Sequence, residues 1–385
     1  MKATPFHLKV SEEELADLRQ RLSQTRWLKE MPGIGASEGI DMTFLKSLVD
    51  YWQHQFDWRA QEDKINRFDH FKAEVAGHCV HYIHQRGTGH SPMPLLLTHG
   101  WPGSFVEMLE IIPLLTDPSA HGGDPADSFD IIVPSLPGYG FSAAPEKKGI
   151  GSYEIAAIWA ELMSGLGYQK FAAQGGDLGA GVSTWLAYRY PERVTGIHLN
   201  YIPGSYAPPL GDEQTPMSNE EKDYLDHVLA WGNEHAAYGR IQSTKPQTLA
   251  AGLNDSPVGL AAWIAEKFQA WTDHNGNIED AVTYDALLTN ISLYWFTQTI
   301  GSSFRMYVEG SKRPMKFSAG ERIEPPVGVA LFPAELPMPP KSWVARCYNV
   351  QRWETMAKGG HFAALENPHA LAKEIREFFR PLRAV

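Results

Sequence analysis

Cysteine is nearly absent: Cys79 and Cys347 are the only two in 385 residues. That leaves no disulfide framework and no cysteine-based zinc spacing, and it suits a reducing compartment. No uninterrupted apolar run approaches the roughly 20 residues needed to cross a bilayer. Met1 is followed by Lys-Ala-Thr-Pro and a charged segment, where a secretory signal would carry an apolar stretch. The chain is therefore expected to be soluble and cytoplasmic, with no membrane anchor. Positive charge is in deficit, 34 Lys and Arg against 45 Asp and Glu, for a formal charge of -11. This argues against nucleic acid or an anionic membrane surface as partner and favours a small uncharged substrate. Internal repeats and low-complexity tracts are missing too. What is abundant is core material, with 43% hydrophobic residues and 12 Trp.

The pattern along the chain predicts one α/β core with additions. Ser11 and Glu14 form a capping box before a helix that puts Leu15, Leu18 and Leu22 on one face. Phe44, Leu45, Leu48, Val49 and Trp52 predict a second helix, ending before the hydrophilic stretch Arg59 to Asn66. Residues 1–62 are thus expected to be a helical N-terminal extension. From Phe68 the period becomes two, and Ala76-Gly77 turns a hairpin whose His78, His81 and His84 are expected on an exposed strand face. Buried strands follow at Pro94–Thr98, Phe129–Pro134, Phe171–Gln174 and Val194–Asn200, separated by helices through Leu115 and at Tyr153–Leu166. Alternation of this length implies a mainly parallel sheet with helices on both faces. Residues 201–322 break the rhythm, rich in aromatic and helix-forming residues, and are expected to be an inserted helical lid on the core of residues 63–200 and 323–385. Strands are expected again at Val327–Phe332 and Trp343–Val350, and a last helix at Pro368–Phe379.

The chain is organised around Phe171 to Ala180, F-A-A-Q-G-G-D-L-G-A. This has the form of the strand-turn-helix elbow G-x-S-x-G with Asp177 in the serine position. Gly175 and Gly179 fall where a Cβ would crowd the turn, and the carboxylate sits over a helix N-terminus, whose N–H groups favour negative charge. An aspartate can simply cap a helix, so the weight comes from the rest of the chain. A late acid and then a histidine give the nucleophile–acid–histidine order of α/β-hydrolases. His361, in K-G-G-H-F, is the histidine. Glu335, just past F-P at the carboxyl end of a predicted strand, is the acid, with Glu354 a rival. The oxyanion hole falls to the backbone N–H groups of Leu178 and Trp101, and Trp101-Pro102 is a candidate cis bond. Aspartate in place of serine points to attack at saturated carbon, because the resulting ester keeps a carbonyl that water can attack whereas an ether does not.

The chain resembles the microsomal-type epoxide hydrolases, the branch that includes the juvenile-hormone epoxide hydrolases. The likeness runs over essentially its whole length, through T-R-W at Thr25 to Trp27, H-G-W-P-G-S at His99 to Ser104, Q-G-G-D, the run S-T-K-P-Q-T…N-D-S-P-V-G-L-A-A-W, F-P-A-E and G-G-H-F-A-A. It implies an α/β-hydrolase fold and hydrolysis of a largely apolar epoxide to a vicinal diol through an alkyl ester on Asp177. It needs no cofactor or metal, and a homodimer is compatible with it. It also implies that two lid tyrosines, Tyr238 and Tyr307, donate hydrogen bonds to the epoxide oxygen. Two departures stand out: Leu178 where the family usually has tryptophan, and no membrane-anchoring N-terminal helix. The competing reading is a haloalkane dehalogenase using the same aspartate. A non-catalytic binding protein on this fold is disfavoured by the complete set of nucleophile, acid and base.

Overall fold

The computed structural model describes residues 1–29, 31–211 and 214–384. Strand β1 (Ala3–Pro5) opens the chain. Helix α1 (Glu12–Ser23) starts at the capping box of Ser11 and Glu14 and buries Leu15, Leu18 and Leu22. Helix α2 (Met42–His54) starts where Asp41 accepts hydrogen bonds from the N–H groups of Thr43 and Phe44. A third helix, α3 (Trp58–Ile65), occupies most of the hydrophilic stretch before which the second helix is expected to end. Its charge misleads because Glu62 is on the buried face, where its carboxylate accepts from the N–H of Val10 at 2.7 Å and from Trp58 Nε1 at 3.1 Å. A buried carboxylate with paired oxygens can occupy a core position that a hydropathy pattern scores as surface.

The core continues through β2 (His70–Val75), β3 (His78–Gln85), β4 (Met93–Thr98), α4 (Ile111–Thr116), β5 (Phe129–Pro134), α5 (Ser152–Gly165), β6 (Phe171–Gly175), α6 (Asp177–Arg189) and β7 (Val194–Leu199). Helices then take over: α7 (Asn219–His235), α8 (Ala237–Thr244), α9 (Pro246–Asp255), α10 (Pro257–Trp271), α11 (Tyr284–Thr297), α12 (Ile300–Ser303) and α13 (Arg305–Lys312). Strand β8 (Ile323–Leu331), α14 (Lys341–Ala345), β9 (Tyr348–Thr355), α15 (Ala363–Glu366) and α16 (Pro368–Phe379) complete the chain. Among the described residues the strands form one sheet in the order β1-β2-β3-β5-β4-β6-β7-β8-β9. The pairs from β5 to β9 are parallel, and β1, β2 and β3 join at one edge antiparallel. Strands β5 and β6 are buried along their whole length, as apolar runs covered by helices on both faces must be.

Three readings need correction. The helix expected after Ser104 is broken, with a 3-10 turn at Phe105–Met108 ahead of α4. The strand placed at Trp343–Val350 starts only at Tyr348. Trp343 and Val344 are buried because α14 packs down beside the sheet, while β9 is an edge strand that tolerates polar Gln351, Arg352 and Glu354. The histidines of β3 are not on an exposed face. His81 is fully buried among Phe6, Phe105 and Phe141, with Nδ1 2.8 Å from Ser135 Oγ and Nε2 2.9 Å from His70 Nδ1. His84 is half-buried against the hydroxyl of Tyr168 at 3.0 Å. Phe6 of the N-terminal segment covers the face that carries His81, and Tyr168 covers His84 on the opposite face, neither of which a strand's own alternation can reveal.

Candidate active site

The parallel strands point their carboxyl ends at one place, and β6 delivers Asp177 there. The turn is so tight that Asp177 adopts φ +46°, a left-handed conformation that costs a non-glycine residue roughly 1–3 kcal/mol and is held only where its surroundings enforce it. The enforcement is steric. A Cβ on Gly179 would lie 1.9 Å from the carbonyl oxygen of Thr98, and one on Gly175 would lie 2.3 Å from the backbone of Gly179. Gly100 belongs to the same device, since a Cβ there would lie 2.3 Å from Asp177 Oδ1. Its neighbour Trp101 donates its backbone N–H to that same oxygen at 2.8 Å, and the Trp101-Pro102 bond is cis.

His361 stands between two carboxylates. Its Nδ1 meets Glu335 Oε1 at 2.5 Å and its Nε2 meets Asp177 Oδ2 at 3.3 Å. Burial acts to depress its pKa, but the charges of Glu335 and Asp177 outweigh that and hold the ring well above its ordinary range. Glu335 is fixed by a hydrogen bond from the N–H of Leu336 to Oε1 at 2.7 Å. Glu354 is remote from this line; it lies within β9, half exposed, facing Arg352. The histidine loop itself rests on the end of α10. The His361 N–H donates to the carbonyl of Trp271 at 2.9 Å, and the Gly359 N–H to Asp273 Oδ2 at 2.8 Å. Glu366 ties both sides together by accepting from the N–H groups of Asp273 and Phe362, and burial raises its carboxyl to about 7.

Tyr238, on α8, and Tyr307, on α13, face each other over the elbow with ring centroids 5.9 Å apart. Trp101 seats both, stacked on Tyr238 and edge-on to Tyr307. Burial pushes both phenols above their ordinary range, with the charge of Asp177 adding to the shift. Below them lies a cavity of about 470 Å³ that reaches Asp177, with walls from Leu178, Trp185, Trp231, Met306 and Met315. Tyr201, which no sequence motif singles out, lines it too and packs edge-on against His361.

The loop carrying Trp101 is held from α11, another relation hidden in the sequence. Asn290 Nδ2 donates to the carbonyl of Pro102 at 2.8 Å, and its Oδ1 accepts from Ser104 Oγ at 2.8 Å. The hydroxyl of Tyr294 donates to the carbonyl of Gly103 at 2.7 Å. Helix α11 is anchored in turn by the N-terminal extension, through Trp52 Nε1 to Ser292 Oγ at 3.0 Å and the hydroxyl of Tyr51 to Asp285 at 3.0 Å.

A parallel sheet carrying a strained elbow at its carboxyl edge, under an inserted set of helices, defines the α/β-hydrolase class. Comparison with known proteins agrees. The family model described as the epoxide hydrolase N terminus matches residues 3–108, and that of the alpha/beta hydrolase fold matches residues 93–251. A protein of Stigmatella aurantiaca (strain DW4/3-1), provisionally named an epoxide hydrolase, is 46% identical over 99% of this chain and 86% of its own. Epoxide hydrolase 1 of Sus scrofa is 40% identical over 97% of this chain and 88% of its own. The solved structure of Aspergillus niger epoxide hydrolase superposes with a TM-score of 0.85 at 30% identity, covering 99% of this chain and 97% of that one. The chain belongs to the epoxide hydrolase family and is an enzyme of that kind. Among the described residues no helix is long and apolar enough to cross a membrane.

Proposed function

We propose that the chain converts an epoxide to a vicinal diol in two covalent steps on Asp177. The observation that carries this reading is the position of that carboxylate. One side lies 3.3 Å from an imidazole backed by Glu335, and the other opens into an apolar cavity that bears two buried phenols. In the first step a carboxylate oxygen attacks an epoxide carbon and the C–O bond breaks. Tyr238 and Tyr307 stabilise the oxygen by hydrogen bonds that strengthen as its charge develops. The ring-opened oxygen then needs a proton, and esterification has just removed one of the two negative charges that keep His361 protonated. The imidazolium can therefore release its proton to the product oxygen and become the base that the second step requires. It takes a proton from water, the hydroxide adds to the ester carbonyl, and the N–H groups of Trp101 and Leu178 bind the resulting oxyanion. Collapse expels the diol, and the proton balance returns to its starting point. Glu335 orients the ring throughout.

The helical stretch 201–322 serves as a lid that closes the substrate off from bulk water. The cavity walls support a largely apolar epoxide. The excess of acidic groups and two free cysteines support a cytoplasmic enzyme acting on an uncharged molecule. A dehalogenase would need N–H donors for the departing halide, and Leu178, directly after Asp177, supplies none from its side chain.

The test is a single turnover with enzyme in excess in heavy-oxygen water. Unlabelled diol and a labelled Asp177 peptide are expected, because the first oxygen transferred belongs to the protein. Label in the first-turnover diol, with no substrate adduct at Asp177 in His361→Gln, would replace the nucleophile by direct attack of water.

A further inference from the structure

Two cavities meet at this site, and Asp177 is the only described residue that lines both. The larger holds the phenols. The smaller lies away from them, bounded by His361, Glu107, Gln174, Asn200, His99 and Gly103, and is open to water centres over about 20 Å³. Roughly 10–15 Å³ on that measure accommodates one water, provided two to four polar groups face it. They do. Gln174 is 1% exposed, and while its Nε2 donates to Asn200 Oδ1 at 2.8 Å, its Oε1 has no protein partner. Glu107, 8% exposed, brings its carboxyl to the same chamber.

We propose that this small chamber holds the water that hydrolyses the Asp177 ester, and that Glu107 orients it. The inference rests on the two-step reading and adds a residue and a location to it. An apolar substrate esterified to Asp177 fills the large cavity, so water cannot approach from that side; the chamber behind supplies it. The carboxyl of Glu107 gets there only because residue 103 has no side chain, since a Cβ on Gly103 would lie 1.3 Å from Glu107 Oε1. Burial pushes this carboxyl up to about 8, with the charge of Asp177 adding to the shift and that of His361 opposing it. It is therefore protonated at neutral pH and can donate to the water oxygen. The water then gives one hydrogen to His361 Nε2 and the other to Gln174 Oε1, accepts from Glu107, and turns its remaining lone pair toward Asp177 Cγ.

Rapid mixing under single-turnover conditions separates ester formation from ester hydrolysis. In Glu107→Leu, ester formation is expected within about twofold of the parent, and hydrolysis roughly 10- to 100-fold slower, the scale of a misplaced reactant. Gly103→Ala should behave alike by displacing the carboxyl. Glu107→Gln keeps a donor and an acceptor in the same shape and should recover most of the hydrolysis rate. If Glu107→Leu fails to fold, Glu107→Asp, which draws the carboxyl back by one methylene, must show the same selective slowing. Hydrolysis at the parental rate in Glu107→Leu or Glu107→Asp, or equal slowing of both steps with no recovery in Glu107→Gln, overturns the proposal. Failure of folded His361→Gln to form ester would instead strike the Asp177 reading itself.

Discussion

Asp177 and His361 announce themselves because each is flanked by residues whose chemistry is local: glycines that permit a tight turn, and a glycine pair that frees a loop. Chain order supplies the rest, and placement just past the carboxyl end of a strand favours Glu335 over Glu354, which lies within one. Glu107, Gly100 and Tyr201 carry no such signature. They matter through contacts between segments far apart in sequence, such as the meeting of Glu107 with Gln174 and His361 around one chamber, the approach of Gly100 to Asp177, or that of Tyr201 to a loop 160 residues on. Tyr238 and Tyr307 stand between these cases, legible through family likeness and not through spacing. Their burial keeps both phenols protonated into the alkaline range, so their protons stay available for donation. Tyr238→Phe and Tyr307→Phe are each expected to slow ester formation by roughly 10- to 1,000-fold, the loss of one donor to a developing oxyanion, with circular dichroism unchanged. Parental ester formation in either variant would remove that tyrosine from the site.

Elements with strong periodicity or caps were predictable, and those whose signal depends on partners were not. The capping box of α1 and the closing helix α16 lie where their residues place them, whereas α3 conceals its buried face behind Glu62 and β9 conceals an edge strand behind Arg352 and Glu354. The extension is also more than a cover. Helix α2 holds α11, and α11 holds the backbone of Pro102 and Gly103 beside Trp101. Trp52→Ala removes a 4%-exposed indole from that contact and should cost about 3–5 kcal/mol in denaturant unfolding, as for other buried large-to-small changes. Because the contact leads to the loop that carries Trp101, turnover at temperatures where the variant stays folded should fall as well. Full turnover in a destabilised Trp52→Ala would confine the extension to a supporting role.

At the scale of the whole molecule the buried histidines set the acid limit. Burial lowers His70 and His81, and takes His99 to about 4 and His198 to about 3, from 6.5. Unfolding lets each bind a proton below pH 6.5 that it refuses when folded, so each withdraws about 1.4 kcal/mol of stability per pH unit as pH falls from 6.5 toward its folded value. Glu107 and Glu366 act in the opposite sense. Their folded values of about 8 and about 7 lie above 4.5, so the stability they permit is lost as pH rises from 4.5 through those values. His361, raised above 6.5, likewise loses its contribution on the alkaline side. Melting temperature is thus expected to peak near pH 6.5 and fall on both flanks; a flat profile between pH 5 and 6.5 would contradict the neutral buried histidines. One contact has a different kind of consequence. The backbone N–H of His361 hangs on the carbonyl of Trp271, the last residue of α10, and α10 also packs on α1 and α2. The inserted helices therefore divide into an inner part that is masonry and an outer part that is replaceable. A chimera that exchanges residues 214–255 with a relative should acquire that relative's substrate range and keep its hydrolytic chemistry. Extending the exchange through residue 272 transplants the seat of the imidazole as well, so that activity survives only if the histidine loop travels with it.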